Sequence, residues 1–332
     1  MNTPKSRQVF LIGIDIGGTK CAVILGNADG AIADKVSFPT EKNGGPGPAL
    51  DRIFLETARI LEKNSLGPGQ VSGIGVSCGS PLNSKKGLIL SPPNLPGWDN
   101  VAIADLLKNK FGIPAFLQND ANACALAEWQ WGAGKGCRNM IFLTFGTGFG
   151  SGLILDGRLY SGTNDMAGEI GHVRLSDNGP VGYGKEGSAE GFCSGGGVAQ
   201  IARQEILKCF QTGKPVGFCP SLEAMGTITA RDVGLAADRG DPVARDILAI
   251  SGRYLGRAAA ILIDLFNPER IVIGSIFLRC RDHLLPHALE VIGREALTHN
   301  AEVCTILPAG LGEEVGDYAA LGIAKAGAEG LL

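Results

Sequence analysis

Apolar positions change period several times along this chain, and each change predicts an element. Val9–Ile14 is a nearly unbroken run of β-branched and large apolar residues, which predicts a buried strand. Cys21–Leu25 resumes the run, and Ala31–Phe38 adds a third antiparallel strand after a turn at 27–30. Leu50, Ile53, Phe54, Ala58 and Leu61 then recur at helical spacing, predicting a helix over Ala49–Lys63. Strand Val71–Val76, helix Val101–Phe111, strand Ala115–Gln118 and helix Ala121–Gly132 follow, the last capped by Asn119 or Asp120. Met140–Leu143 is a strand, and Leu153–Leu155 and Arg158–Tyr160 flank an Asp156–Gly157 hairpin turn. Residues 161–197 are Gly-rich and irregular. Helices are predicted over Val198–Phe210, Arg231–Arg239 and Asp241–Phe266, where Pro242 starts the helix and Asn267–Pro268 stops it. Strand Arg270–Ile273 and a final helix over Gly316–Glu329 complete the pattern.

The opening arrangement of strand, Gly/Thr turn and strand recurs at 140–155. This echo predicts two related α/β lobes with a ligand cleft between them. The expected lobes are 1–118 with 317–332, and 119–316. A chain of 332 residues accommodates two such domains.

Composition narrows the function classes. The net charge of -3 and the lack of a basic block speak against nucleic acid or an anionic membrane as the main partner. Nine cysteines, an odd number without a C-x-x-C pair, predict reduced thiols in a cytoplasmic protein. The N-terminus lacks a secretory pattern, and no apolar stretch approaches a membrane span of about 20 residues. The 50 glycines, about twice the usual ~7% share, predict many tight turns and close backbone approaches.

The candidate chemistry begins at Asp15. A carboxylate near the end of a buried strand is costly alone, so a partner is expected. Gly17 and Gly18 permit a tight turn, and Thr19 and Lys20 offer a hydroxyl and a cation to phosphate oxygens. The stretch reads as a hairpin whose turn holds phosphate. Residues 144–152 (TFGTGFGSG) form a second turn with alternating glycines. Asp120 either caps a helix or accepts a hydroxyl proton during phosphoryl transfer. Glu169 and His172, three apart, share a face if helical and suit neighbouring sugar hydroxyls, or form a surface pair. The loop at 91–99, with three prolines, is a ligand wall or a rigid connector. GPVGYGK at 179–185 only approximates a Walker A loop: Glu186 stands where Ser or Thr belongs.

Together these segments resemble the ROK family of bacterial sugar kinases and sugar-responsive repressors. The motifs are GIDIGGTK (13–20), PNLPGW (93–98), NDANACALAE (119–128), TFGTGFGSGLILDGRLYSG (144–162) and AGEIGH (167–172), in order along nearly the whole chain. The resemblance implies an actin-like, two-lobed ATPase (ribonuclease H-like) fold with ATP and sugar in the interlobe cleft. It implies Asp120 as the base on the sugar hydroxyl. Asn119, Glu169, His172 and Glu190 would hold the sugar, with Asn94 and Gly79 as neighbours. Asp15 would sit near the Mg²⁺ of ATP. Gly17, Gly18, Thr19 and Lys20, with Thr144, Gly146, Thr147 and Gly148, would grip the phosphates, and Gly274 would lie by the adenosine. It also implies a final helix that returns to the first lobe, and a homodimer.

The chain departs from the family twice. Where the family carries three zinc-binding cysteines, this sequence has Val181, Tyr183 and Ser188. Zinc needs four ligands, and nearby Cys193 cannot replace three thiolates, so no structural zinc is expected. Tyr183 is the candidate anchor of the loop instead. Gly274–Ser275 replaces the usual paired glycines. Three functions compete: a hexose kinase, with glucose the first expectation ahead of N-acetylhexosamines and fructose; a sugar-sensing transcription factor, which needs an upstream DNA-binding domain that twelve residues before Gly13 cannot supply; and a silent sugar binder.

Overall fold

The computed structural model describes residues 9–41 and 44–332, the side chain of Pro68 excepted. The stretch NGGPGP at 43–48, which its glycines and prolines predict to be a loop, begins outside the described residues. Two compact units emerge: residues up to 136 with 152–167 and 313–332, and residues 137–151 with 168–312.

The first unit opens with β1 (Phe10–Ile16), β2 (Lys20–Asn27) and β3 (Ile32–Pro39), then α1 (Gly47–Lys63) and β4 (Val71–Cys78). The short β5 (Leu82–Asn83) and β6 (Leu88–Ile89), α2 (Ile103–Phe111), β7 (Ala115–Asn119) and α3 (Asp120–Trp131) follow. The sheet order is β3-β2-β1-β4-β7, antiparallel through β3, β2 and β1 and parallel from β1 to β7. Strand alternation sends Ile12, Ile14 and Ile16 into a core with Ile53, Ile60 and Trp98. Leu11 faces the other way, packing with Ala22, Ile24, Leu321 and Ala324. Gly13 and Gly75 let the C-terminal helix (Val315–Ala328) lie close against the sheet: a Cβ would stand 3.0 Å from the Ala320 Cβ in the first case and 2.1 Å from the Ala320 oxygen in the second. That helix therefore returns to the first unit, as the family resemblance implies.

The expected boundary at 118/119 is corrected by packing. Helix α3 goes with the first unit because Gln130 Nε2 donates to the Gly322 carbonyl at 3.0 Å and Trp131 Nε1 to that of Ala28 at 3.1 Å. Past β8 (Met140–Leu143), the hairpin β9 (Ser151–Leu155) and β10 (Arg158–Leu159) turns through Asp156 (φ 51°) and Gly157 (φ 74°), as a type I′ turn requires. A Cβ on Gly152 would lie 2.5 Å from the Ala121 oxygen, so this hairpin follows α3 into the same unit.

In the second unit the region expected to be irregular contains a 3₁₀ turn at Ile170–His172, the hairpin β11 (Val181–Gly182) and β12 (Lys185–Glu186), and α4 (Ala189–Phe192). Next come α5 (Gly195–Gln211), α6 (Ala230–Asp238), α7 (Pro242–Phe266), β13 (Arg270–Ile273), α8 (Ile276–Glu295), α9 (Thr298–Val303) and β14 (Thr305–Pro308). Strand β13 lies parallel to both β8 and β14. Asp241 caps α7 through Ala244 N (3.0 Å), and Asn267 ends it at φ 44°. Glycines 252 and 256 let α8 pack tightly on α7: added Cβ atoms would lie 2.5 Å from the Leu284 and Ala288 oxygens. The hydrophobic pattern names no element between Gly274 and the final helix. Helix α8 escapes it because Pro286 sits in its interior and Cys280 breaks its dihedrals.

Candidate functional site

The first glycine turn closes through Gly17 N, which donates to the Lys20 carbonyl at 3.1 Å. Thr40 holds it from outside: its hydroxyl donates to the Gly17 carbonyl at 2.6 Å, and its N–H reaches the Thr19 carbonyl at 2.9 Å. Thr40 was invisible in the motif because it follows β3, the strand two places from β1 in the sheet. The side chains of Thr19 and Lys20 are exposed. Gly18 is required by space, since a Cβ there would sit 2.8 Å from Asn94 Cβ and oxygen. Asn94 also lies 3.4 Å from where a Gly79 Cβ would be. The proline-rich loop therefore brings Asn94 to both glycine segments, while Trp98, 1% exposed, belongs to the core.

Alternation along β1 places Asp15 on the same side as Gly13, the side facing α3 and the C-terminal helix. The Asp15 side chain has no hydrogen bond or ion pair among the described residues, so the partner expected from the sequence is not found there. Lys35, one of two nearby cations, is instead bound to Asp317 at 2.6 Å. Burial pushes the Asp15 carboxyl up to about 6, the charge of Asp120 adds to this, and Lys20 opposes it.

Asp120 is the first residue of α3, directly after β7. Asn119 is the cap: its Oδ1 accepts from Asn122 N at 2.7 Å. Asp120 Oδ1 accepts from Ala121 N at 2.8 Å, leaving Oδ2 without a protein partner among the described residues. Water reaches the Asp120 side chain, yet protein crowds it enough that lost hydration raises its pKa, with the Ala121 N–H opposing. The exposure of Asp120 makes the residue accessible to a ligand, and the raised pKa makes it a better base than a free aspartate.

In the second unit the turn after β8 is self-closed. Thr144 Oγ1 accepts from Gly150 N at 2.9 Å, and Gly146 N donates to Gly148 O at 3.0 Å. The Thr144 hydroxyl is thus committed within the turn, whereas Thr147 is exposed. Glu190 Oε2 accepts from Phe149 N at 3.1 Å, and a Cβ on Gly148 would lie 2.8 Å from the same oxygen. Gly195 N donates to Gly146 O at 2.8 Å. Gly274 N donates to Leu143 O at 3.0 Å, and Ser275 follows at φ 60°, a backbone conformation suited to glycine. Its departure from paired glycines is therefore one of side chain, not of backbone path.

Glu169 and His172 border one 3₁₀ turn, both exposed. The His172 ring stands edge-on to Tyr183 at 6.4 Å. Tyr183 is no anchor: it is 80% exposed at the tip of the β11–β12 hairpin, at φ 45°. Other groups hold this loop. Ser188, fully buried at one of the cysteine-replacing positions, caps α4 through Gly191 N at 3.1 Å. Gln200 pairs with the backbone of Val181 in both directions, each bond 2.9 Å. A separate cavity of about 690 Å³, beside Ser84, Lys108 and Tyr160, contains none of the candidate residues.

The profile of the ROK family matches residues 11–326. A glucokinase of Halalkalibacterium halodurans is 32% identical over 309 residues, 92% of this chain and 92% of its own. A glucokinase of Thermotoga maritima is 35% identical over 269 residues, 81% of this chain and 82% of its own. A solved ROK family glucokinase from Streptomyces griseus, in complex with glucose and AMPPNP, has a TM-score of 0.72 at 26% identity, covering 95% of this chain and 99% of that one.

Proposed function

Because the chain belongs to the ROK family, with its actin-like α/β fold, we propose that it is an ATP-dependent hexose kinase of the glucokinase type. It transfers the terminal phosphoryl group of ATP to a sugar hydroxyl. The observation that carries the reading is Asp120: an accessible carboxylate at a helix start, with one oxygen held by Ala121 N and the other open. The hydroxyl oxygen bonds to phosphorus, the bond from phosphorus to the bridging oxygen of ADP breaks, and the hydroxyl proton passes to Asp120. A carboxylate suffices because the proton leaves late, once the oxygen is already bonding to phosphorus.

A Mg²⁺ bound with ATP would supply charge neutralisation at the phosphates. Asp15, whose side chain has no partner among the described residues, would suit it, since Mg²⁺ is commonly held by one or two carboxylates plus phosphate oxygens and water. The turns at 17–20 and 144–148 take the phosphates, with Gly274 toward the adenosine. In the first unit Asn119 offers its amide nitrogen to sugar, beside Asn94 and Gly79. In the second, Glu169, His172 and Glu190 hold sugar hydroxyls. Cytoplasmic location and a homodimer complete the proposal.

Glucose is the first substrate to test, supported by the named substrate of the relatives above. A coupled ADP-release assay across glucose, N-acetylglucosamine, N-acetylmannosamine, allose and fructose tests it. Turnover with glucose at the highest kcat/KM supports the glucokinase reading. Preference for an N-acetylhexosamine or fructose reassigns the substrate. Silence with every sugar, in a protein that still binds one, replaces the kinase with a sugar-binding regulator.

A further inference from the structure

Glu190 spends one of its two carboxylate oxygens on the protein. Its Oε2 accepts the N–H of Phe149 at 3.1 Å, inside the glycine turn that follows β8. Gly148 approaches the same oxygen so closely that a Cβ would stand 2.8 Å away. Oε1 has no protein partner among the described residues. The carboxylate is half-buried, and it rides on the four-residue helix α4, whose start is pinned by the buried Ser188 hydroxyl on Gly191 N. The same helix is crowded from behind: a Cβ on Gly182 would lie 2.5 Å from Gly191 N. Helix α4 therefore has little freedom to move Glu190 away from the turn.

We propose that Glu190 is a positioning residue for the nucleotide as well as a sugar ligand: Oε2 holds the phosphate turn in shape while Oε1 accepts from a sugar hydroxyl. Ser188, standing where the family has a zinc cysteine, keeps Glu190 at this post by capping α4. The idea rests on the nucleotide-gripping role given above to residues 144–148. A charge-assisted bond to a backbone N–H fixes the turn before ATP arrives, so ATP does not have to order it. Sugar and nucleotide sites then share one carboxylate, and occupancy of either one restrains it for the other.

The test is nucleotide binding without sugar, by calorimetry with a non-hydrolysable ATP analogue and Mg²⁺, on the whole chain. Glu190→Ala is expected to weaken the analogue about tenfold, the loss of one charge-assisted bond. Glu190→Gln keeps an acceptor for Phe149 N and is expected to bind the analogue within about threefold of wild type, while its sugar affinity falls about tenfold. Amide hydrogen exchange should speed up across 144–150 in the alanine variant and stay unchanged in β1, which separates a loosened turn from general unfolding. Wild-type analogue affinity in Glu190→Ala, measured without sugar, overturns the proposal. Failure of the wild-type protein to bind the analogue overturns instead the nucleotide reading beneath it.

Discussion

Replacing Asp15 with asparagine should make the first unit more stable at neutral pH while it removes activity. The carboxyl has no hydrogen-bonding partner among the described residues, and burial with help from Asp120 lifts it from 3.8 to about 6. A raised carboxyl is protonated more readily in the folded chain than in the unfolded one. Its contribution is therefore fully favourable only below the unfolded value of 3.8 and is lost as pH rises through about 6. Full ionisation of such a group costs about 3 kcal/mol, and partial solvent access reduces this to about 1–3 kcal/mol. Asparagine has nearly the same shape and no charge to desolvate. The variant should exceed wild type by about 1–3 kcal/mol near pH 8, and roughly half of that difference should vanish near pH 5. All three tryptophans, Trp98, Trp129 and Trp131, lie in the unit that holds Asp15, so urea unfolding followed by tryptophan fluorescence reads the relevant transition. Stability gained where activity is lost is the signature of a residue kept for function. Parallel pH profiles for the two proteins, or a variant less stable than wild type near pH 8, would refute the reasoning.

Asp120→Asn keeps the acceptor for Ala121 N, so it should fold normally, bind sugar within a few-fold of wild type by calorimetry, and lose about 10²–10⁴-fold in kcat. An unchanged kcat removes Asp120 from the base role. Ser275→Gly should stabilise the second unit by about 1 kcal/mol, because relief of a disfavoured backbone conformation outweighs the extra entropy of unfolded glycine. Ser275→Ala should not stabilise, and far-UV circular dichroism melts of the two variants would distinguish strain relief from loss of the hydroxyl. Ser188→Ala should cost about 1 kcal/mol through the lost cap of α4, read by the same melts; a neutral result would mean that packing alone holds this loop.

Local information carried much of the fold. The places of β1, α1, β4, α3, β8, α7 and β13 follow, to within about two residues, from apolar spacing, from Asn119 or Asp120 as the cap of α3, from Pro242 at the start of α7 and from Asn267 as a stop. The Asp156–Gly157 hairpin is legible because only a few residue types accept both positive φ values. Helix α8 was not, since an interior proline reads locally as a break and only packing on α7 sustains the helix through it. The structure of 170–192 was equally hidden, because two-residue strands and one-turn helices are too short to carry a period.

Candidate chemistry was legible along the chain: glycine turns, two aspartates at strand ends, and the Glu169–His172 pair. The sequence by itself also determined the family, through motifs kept in order. Tertiary structure alone decided their partners. Asp15 comes near Asp120 because β1, β4 and β7 lie side by side and parallel in one sheet, so residues at the ends of β1 and β7 meet although they are far apart in the chain. Asn94 meets Gly18, Thr40 braces Gly17, and Glu190 braces Phe149 through contacts between segments distant in the chain. Spacing along a chain sets which way a side chain points, but contacts between distant segments depend on how elements pack, and packing is a property of the whole unit.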